Sequence, residues 1–99
     1  MDKELYEACC FKIIAAAGSA KSCYLEAIEQ AKNDENYEVS ITEGEKAFYT
    51  ASEAHAEALK YDALGKLDCG LLLIHAETIL SSAETIKDLS ETLIALIRK

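Results

Sequence analysis

The sequence predicts an all-α protein: an up-down-up antiparallel bundle of three helices, built as one domain over residues 1–99. The first observation is composition, because 51% of the residues are apolar while only 7% are aromatic and proline is absent, which favours helices rich in alanine, leucine and isoleucine. The second is that three long segments place apolar side chains three or four residues apart. The third is length, since 99 residues suffice for one hydrophobic core but not for two.

The first predicted helix runs from about Lys3 to Lys32. One of its faces carries small or apolar side chains without a charged interruption, which indicates a helix that packs along its whole length. Residues 33–36 (Asn-Asp-Glu-Asn) end it, because such side chains hydrogen-bond their own backbone more readily than they continue a helix. The residues of this face are Tyr6, Cys10, Ile13, Ala17, Ala20, Tyr24, Ala27 and Ala31.

The second predicted helix ends at about Leu64, where Gly65 can adopt the left-handed conformation that stops a helix. The third begins after Asp68, a candidate N-cap, and runs to the end of the sequence. Short links make neighbouring helices antiparallel, and the heptad spacing of the third predicts a coiled-coil-like core. The predicted packing faces are Ile41, Gly44, Phe48, Ala51, His55 and Ala58 in the second helix, and Leu72, His75, Ile79, Ser82, Ile86, Leu89, Leu93 and Leu96 in the third.

The third helix carries more apolar side chains than two small, alanine-rich neighbours can cover. Leu71, Ile74 and Leu80 lie outside its predicted packing face. Self-association would bury this surplus, so we expect an oligomer. The alternative is that the wide apolar stripe wraps one compact monomeric core.

Charge and segment hydropathy exclude several classes of partner. The formal net charge of -8 disfavours binding to nucleic acid and to anionic membrane surfaces. No apolar stretch approaches the roughly 20 residues that a membrane span needs, and the acidic start of the sequence is unlike a secretory signal, so we expect a cytoplasmic protein. The four cysteines, Cys9, Cys10, Cys23 and Cys69, form no C-x-x-C pair and are predicted to be reduced core thiols.

The two histidines, His55 and His75, both fall on predicted packing faces. Each is therefore a candidate for a buried structural residue or for a reactive one. Neither has a glutamate three residues before it, which argues against a di-iron carboxylate site, and no zinc-finger spacing occurs. Nucleotide-binding loops and the G-x-S-x-G motif are absent as well. Covalent carriage of a phosphoryl group on an imidazole remains open, because it requires neither a bound nucleotide nor a separate base.

Several stretches resemble one known family, the lactose/cellobiose-type IIA components of the bacterial sugar phosphotransferase system. The first helix resembles its signature at residues 17–22 (Ala-Gly-Ser-Ala-Lys-Ser), continuing through 25–28 and 31–32, and the second resembles its Ala-His pair at 54–55. Residues 71–76 (Leu-Leu-Leu-Ile-His-Ala) resemble the apolar run that ends in the family's phosphorylated histidine, and 88–89 and 93–94 match its C-terminal pattern.

The resemblance implies a function and an assembly. In that family a three-helix subunit forms a trimer and takes a phosphoryl group from the carrier HPr on a histidine of the third helix. The group then passes to a cysteine of the cognate IIB component. IIB serves a membrane IIC partner in the uptake of a disaccharide such as lactose or cellobiose. His75 is then the phosphoryl acceptor and His55 a secondary, structural group. Hydroxyls near His75, those of Thr78 and Ser82, are candidates for orienting the phosphoryl group, or else small residues that pack in a tight seam.

The sequence departs from the family around the two histidines. After His-Ala the family usually continues Gln-Asp-His-Leu, with one aspartate per subunit binding a metal ion on the trimer axis, whereas this chain has Glu77, Thr78, Ile79 and Leu80. We therefore expect no axial metal ion and no other cofactor. The family's Gln-Thr after the first histidine is also missing, and the following loop is shorter. These departures keep open a second hypothesis, a divergent IIA-like oligomer that acts as a regulatory or scaffolding module.

Overall fold

The computed structural model describes residues 1–99 and contains three helices and no strands: α1 (Lys3–Lys32), α2 (Glu38–Ala63) and α3 (Leu71–Ile97). Short links join them, so that α2 runs antiparallel to α1 and α3. The result is a rod with principal dimensions of 49 × 18 × 18 Å, about the length of α1 itself. The predicted all-α fold and the three helices are confirmed. None of the three helices has the length and hydropathy of a membrane span.

The helix α1 is the shared packing partner of the other two. The predicted face of α1 is buried over almost its whole length, with Cys9 added and Tyr6 half-buried. Both α2 and α3 contact α1 extensively but make few contacts with each other. A groove therefore runs between α2 and α3, and α1 forms its floor.

The ends of the helices follow local chemistry. The Asp2 side chain accepts a hydrogen bond from the backbone N–H of Leu5 at the start of α1. Gly65 has φ +68°, which confirms the predicted stop after α2. The predicted cap of α3 at Asp68 is wrong, because the N-cap is Gly70, which has no side chain to accept from the first turn.

The first turn of α3 is capped by a side chain from another helix. The hydroxyl oxygen of Tyr6, in α1, accepts hydrogen bonds from the backbone N–H groups of Gly70 and Leu73, each at 3.2 Å. A Cβ on residue 70 would lie 3.1 Å from that oxygen, so glycine allows the close approach. This contact replaces the cap that an Asp68 side chain would have provided.

The buried face of α3 lies one residue further along the helix than predicted. Its core residues are Leu73, Ala76, Leu80, Ala83, Ser90 and Ile94, whereas the residues of the predicted face are half-buried or exposed. A shift of one residue turns a helix by about 100°. The small Ala76 and Ala83 allow α3 to approach α1 closely, while Leu73, Leu80 and Ile94 fill the space beside them.

A single chain leaves the apolar surplus of α3 uncovered. Leu71 is 81% exposed and Leu96 61% exposed, and Ile74, Leu89 and Leu93 are exposed as well. The wide stripe therefore does not wrap one monomeric core, as the alternative to self-association required.

The cysteines divide into buried and exposed thiols. All four are free, but only Cys9 and Cys10 are fully buried, while Cys23 is half-buried and Cys69 is exposed. The prediction of four core thiols is therefore wrong for Cys69, which precedes the first turn of α3. Burial raises the pKa of Cys9 and Cys10, which keeps these two thiols protonated and inert.

Candidate functional site

The two histidines occupy different environments, and neither is buried in the core. His75 lies in the second turn of α3 on the outward face of the bundle and is exposed. Its imidazole makes no hydrogen bond within the chain. His55 lies in α2, is half-buried, and faces the groove between α2 and α3. Because α3 is rotated relative to the prediction, the interpretation of His75 as a core residue is wrong.

His55 is bound to a carboxylate across the groove. Its Nδ1 lies 2.6 Å from Oε1 of Glu77, and both side chains are about one-third exposed (35% and 34%). A carboxylate at Nδ1 favours the tautomer that carries its proton there and leaves the lone pair on Nε2. This contact is one of the few between α2 and α3, and it fixes the orientation of the imidazole.

The groove around His55 is acidic. A cavity of about 330 Å³ lies on one side of the His55–Glu77 pair and contains two further carboxylates, those of Glu84 and Asp88, with Lys87 as its one lysine or arginine. Three carboxylates against one ammonium group repel a phosphoryl donor, which is an anion. These charges make His55 better suited to a structural link between α2 and α3 than to phosphoryl acceptance.

The environment of His75 has the opposite character. Its neighbours one turn away along α3 are Leu71 and Ile79, and the side chain projects from the helix into open space. An accessible neutral imidazole is a nucleophile that can attack phosphorus directly. Because no group of the chain contacts this imidazole, the orientation of a phosphoryl group on it would depend on contacts from the donor protein or from a second copy of the chain.

The hydroxyls predicted to orient a phosphoryl group lie on the His75 side of α3. Thr78 is exposed, and its Oγ1 donates a hydrogen bond to the carbonyl of Ile74 at 2.9 Å, so this hydroxyl remains free only as an acceptor. Ser82 is half-buried and lies two turns, about 10 Å, further along the same face of α3. Both roles stay predictions.

Sequence patterns did not reveal the partner of His55. Glu77 stands where the resembled family has glutamine, and the structure directs its carboxylate toward α2. The two residues are 22 positions apart, on different helices. Only the axial register of α2 against α3 brings them together, and helical periodicity within either segment carries no information about that register.

The chain is similar to known proteins over most of its length. The family model for the PTS system lactose/cellobiose-specific IIA subunit matches residues 8–98. The lactose-specific EIIA component of Staphylococcus epidermidis is 33% identical over 92 residues, which cover 90% of this chain and 88% of that protein. The lichenan-specific phosphotransferase enzyme IIA component of Bacillus subtilis is 30% identical over 102 residues, which cover 100% of this chain and 92% of that protein.

A solved structure of a protein with the same type of name has a similar fold. The fold is similar to that of the cellobiose-specific enzyme IIA from Bacillus anthracis, with a TM-score of 0.91 and 28% identity, over 99% of this chain and 92% of the other. The similarity covers all three helices. The chain therefore belongs to the lactose/cellobiose-specific IIA family of the phosphotransferase system.

Proposed function

We propose that this protein is a phosphocarrier that accepts a phosphoryl group from phospho-HPr on His75 and passes it to a cysteine of its cognate IIB component. Membership of the IIA family supports a carrier role. The observation that supports His75 as the acceptor is its exposed imidazole without an intrachain partner, while the other histidine is engaged by Glu77 in an acidic groove.

The proposed transfer needs no group beyond the two proteins in each step. A ring nitrogen of His75 attacks the phosphorus of phospho-HPr, the new N–P bond forms, and the bond to HPr breaks. In the second step the thiolate of IIB attacks the same phosphorus, a P–S bond forms, and the N–P bond to His75 breaks. The transition state of such a transfer depends on positioning and on donors to its equatorial oxygens. Thr78, Ser82 and the docked partner are the candidates for that role.

We further propose that three copies assemble through the exposed apolar face of α3. This face carries His75 itself and the leucines that a single chain leaves exposed. Burying them would remove a large apolar area from water, which favours association. The assembly must leave the imidazole of His75 accessible, because HPr and IIB dock there in turn.

The family's axial metal ion does not fit the residues of this chain. Thr78, in the place of the family's aspartate, offers a neutral hydroxyl, and its proton is donated to the carbonyl of Ile74. Glu77, the adjacent carboxylate, is directed to His55 on the other side of α3. Hard divalent cations are held in proteins mainly by charged carboxylate oxygens, which this face of α3 lacks. We therefore propose an assembly whose α3 face is held by apolar contacts alone.

The remaining partners follow from the proposed carrier role. The IIB component would serve a membrane IIC protein that takes up a disaccharide such as lactose or cellobiose. We expect phosphoryl exchange with HPr, and therefore this protein, in the cytoplasm. The sugar is selected by the membrane component and leaves no trace in the residues around His75.

The test is intact-mass spectrometry after incubation with phosphoenolpyruvate, enzyme I and HPr. We expect one acid-labile phosphoryl adduct per chain, placed on His75 by fragmentation, and subsequent transfer to IIB. His75→Ala is expected to abolish the adduct while the helical content and the assembly persist. His55→Ala is the matched control, because it removes an imidazole from the same bundle and is expected to leave the adduct in place.

Two results would overturn the proposal. If phospho-HPr is present and the chain takes up no phosphoryl group, the regulatory or scaffolding hypothesis replaces the carrier. If the adduct lies on His55, the interpretation of the acidic groove is wrong. In either case the family membership and the fold stand.

A further inference from the structure

The helix α1 carries an apolar stripe outside the face that packs in the bundle. This α1 stripe consists of Phe11, Ile14, Gly18 and Leu25, which follow one another three, four and seven residues apart. Such spacing places all four residues on one side of a helix. Phe11 is 57% exposed and Leu25 43% exposed, while Ile14 and Gly18 are half-buried. A single chain therefore leaves much of the stripe uncovered.

The α1 stripe lies on the side of α1 that faces away from α2. Two cysteines of α1 mark the side that meets α2. The thiol of Cys9 donates a hydrogen bond to the carbonyl of Ala54, and Cβ of Cys23 would lie 3.3 Å from a Cβ on residue 44. At 100° per residue, the α1 stripe is turned about half a circle from these two cysteines.

Two isoleucines of α3 lie on the same side of the bundle as the α1 stripe. Glu77 marks the side of α3 that meets α2. Ile79 and Ile86, both half-buried, are turned about half a circle from Glu77. Ile14 and Ile79 pack against one and the same core cluster. A second groove, between α1 and α3, therefore runs along the side of the bundle opposite α2, with the α1 stripe as one wall.

Gly18 makes a notch in this wall. It lies in the middle of a helix of 30 residues, where glycine is less favourable than alanine. Contacts within the chain do not require it, because a Cβ built on Gly18 would meet no atom within 4 Å. At Gly44, by contrast, an added Cβ would lie 3.0 Å from Tyr24. The notch at Gly18 therefore permits a close approach from outside the chain.

The outermost leucines of α3 form a ridge beside the groove. Leu71, Leu89 and Leu96 are 81%, 48% and 61% exposed. They are 18 and seven residues apart, which is close to whole numbers of helical turns, so they share one side of α3. This α3 ridge has the apolar character of the groove on a chain whose net charge is -8. A molecule that carries both a ridge and a groove can insert its ridge into the groove of the next copy, and such head-to-tail contacts can close into a ring.

From these observations we infer that the groove between α1 and α3 binds the α3 ridge of a second copy of the chain, with the notch at Gly18 admitting the incoming helix. The inference rests on the proposed assembly of three copies. It adds the second surface that a ring requires, because α3 supplies only the ridge and one wall of the groove. The α1 stripe is then half of each interface between chains.

A side chain placed in the notch tests the inference. Gly18→Leu is expected to lower the association constant at least tenfold, measured by sedimentation velocity over a range of protein concentrations. The helical content should not fall, because the space is open within the chain and leucine favours helix more than glycine does. Ser19→Leu is the matched control, since it puts the same side chain on the adjacent exposed residue, outside the α1 stripe. It should associate like the parent protein.

Contacts between chains can be observed directly. In a mixture of isotope-labelled and unlabelled parent protein, isotope-filtered NMR should show intermolecular contacts between the Leu25 methyl groups and those of the α3 ridge, Leu89 in particular. Association of Gly18→Leu equal to that of the parent would overturn the inference, as would intermolecular contacts that join the ridge to α2 instead. A monomeric parent would overturn both the assembly and the inference. The phosphoryl adduct on His75 is measured separately by mass, so the proposed carrier role stands or falls on its own result.

Discussion

At the scale of single residues, Tyr24 shows how burial without a partner changes the chemistry of a side chain. Its ring fills the space that Gly44 leaves open between α1 and α2. Loss of hydration, with a smaller contribution from the nearby Glu45, raises the pKa of its phenol from 10.0 to about 12. The folded state therefore holds this proton more tightly than the unfolded chain does.

This difference predicts a loss of stability in alkali. The protonated phenol of Tyr24 contributes fully to the stability of the folded state below pH 10, the ordinary pKa of a phenol. This contribution is lost progressively as the pH rises from 10 toward about 12. Between pH 9 and pH 11 the free energy of unfolding should fall by about 1 kcal/mol more in the parent protein than in Tyr24→Phe. Urea unfolding at the two pH values measures the difference. Tyr49→Phe should behave like the parent, and equal pH dependence in all three proteins would contradict the prediction.

His55 and His75 show that residue identity alone does not separate a reactive group from a structural one. Both were candidates on the same grounds, as single histidines on apolar helical faces. Their neighbours distinguish them: Glu77 holds one imidazole, and no group of the chain holds the other. The resemblance to a family predicts His75 as the phosphoryl acceptor, whereas the carboxylate that engages His55 became visible only when the register of the helices was known.

At the scale of helices, side-chain hydrogen bonds join α3 to α1 at both ends of α3. The hydroxyl of Tyr6 caps the first turn, and Arg98, which follows the last turn, donates to the carbonyl of Ala31 at the end of α1. The Tyr6 hydroxyl satisfies N–H groups that the start of α3 leaves unpaired, and Arg98 adds a second donor to a carbonyl that also accepts from the N–H of Asp34. Between them, the alanines of both helices set a short interaxial distance.

Removing the Tyr6 hydroxyl should loosen the start of α3. Tyr6→Phe keeps the ring but leaves the N–H groups of Gly70 and Leu73 without their acceptor, so we expect a loss of about 1–2 kcal/mol in the free energy of unfolding. Urea denaturation measures the loss, and hydrogen exchange should show faster exchange of the Leu73 amide. Tyr61→Phe, on α2, is the matched control. Unchanged exchange at Leu73 in Tyr6→Phe would show that water caps the helix equally well.

The helices also show which features of the fold a sequence can predict. In α1 small residues occupy one face and charged residues surround it, so the packing face was predicted correctly. In α3 apolar residues cover more than half of the circumference, and periodicity alone could not decide which of two adjacent faces meets α1. The answer depends on side-chain volume: the face that meets α1 alternates large residues (Leu73, Leu80) with small ones (Ala76, Ala83), which permits close packing.

At the scale of the whole molecule, one chain is a thin rod with an acidic surface and an apolar flank. The flank is the outward face of α3, where exposed leucines are spaced along several turns. A formal charge of -8 opposes association at long range, so any assembly must derive its stability from the apolar contact. Salt should therefore strengthen the assembly by screening the repulsion between chains.

The proposed trimer can be tested on this flank. Leu89→Glu places a carboxylate among the exposed leucines, and we expect it to shift the species seen by sedimentation velocity from trimer toward monomer by at least tenfold in the association constant. Leu59→Glu, an equally exposed leucine on α2, is the control and should leave the trimer intact. Excess EDTA should leave the parent trimer intact too. A monomeric parent protein, or a trimer that dissociates with EDTA, would contradict the proposed apolar assembly.

The central position of α1 has a consequence for how the protein is made. Translation completes α1 before either of the helices that pack against it. When α2 is synthesised it can therefore pack on α1 at once, and α3 can then pack on the part of α1 that α2 leaves uncovered. Because α2 and α3 barely touch, neither must wait for the other to reach its final place. In a nascent chain with this order of contacts, the alanine-rich face of α1 is exposed only until α2 and α3 have left the ribosome and packed against it.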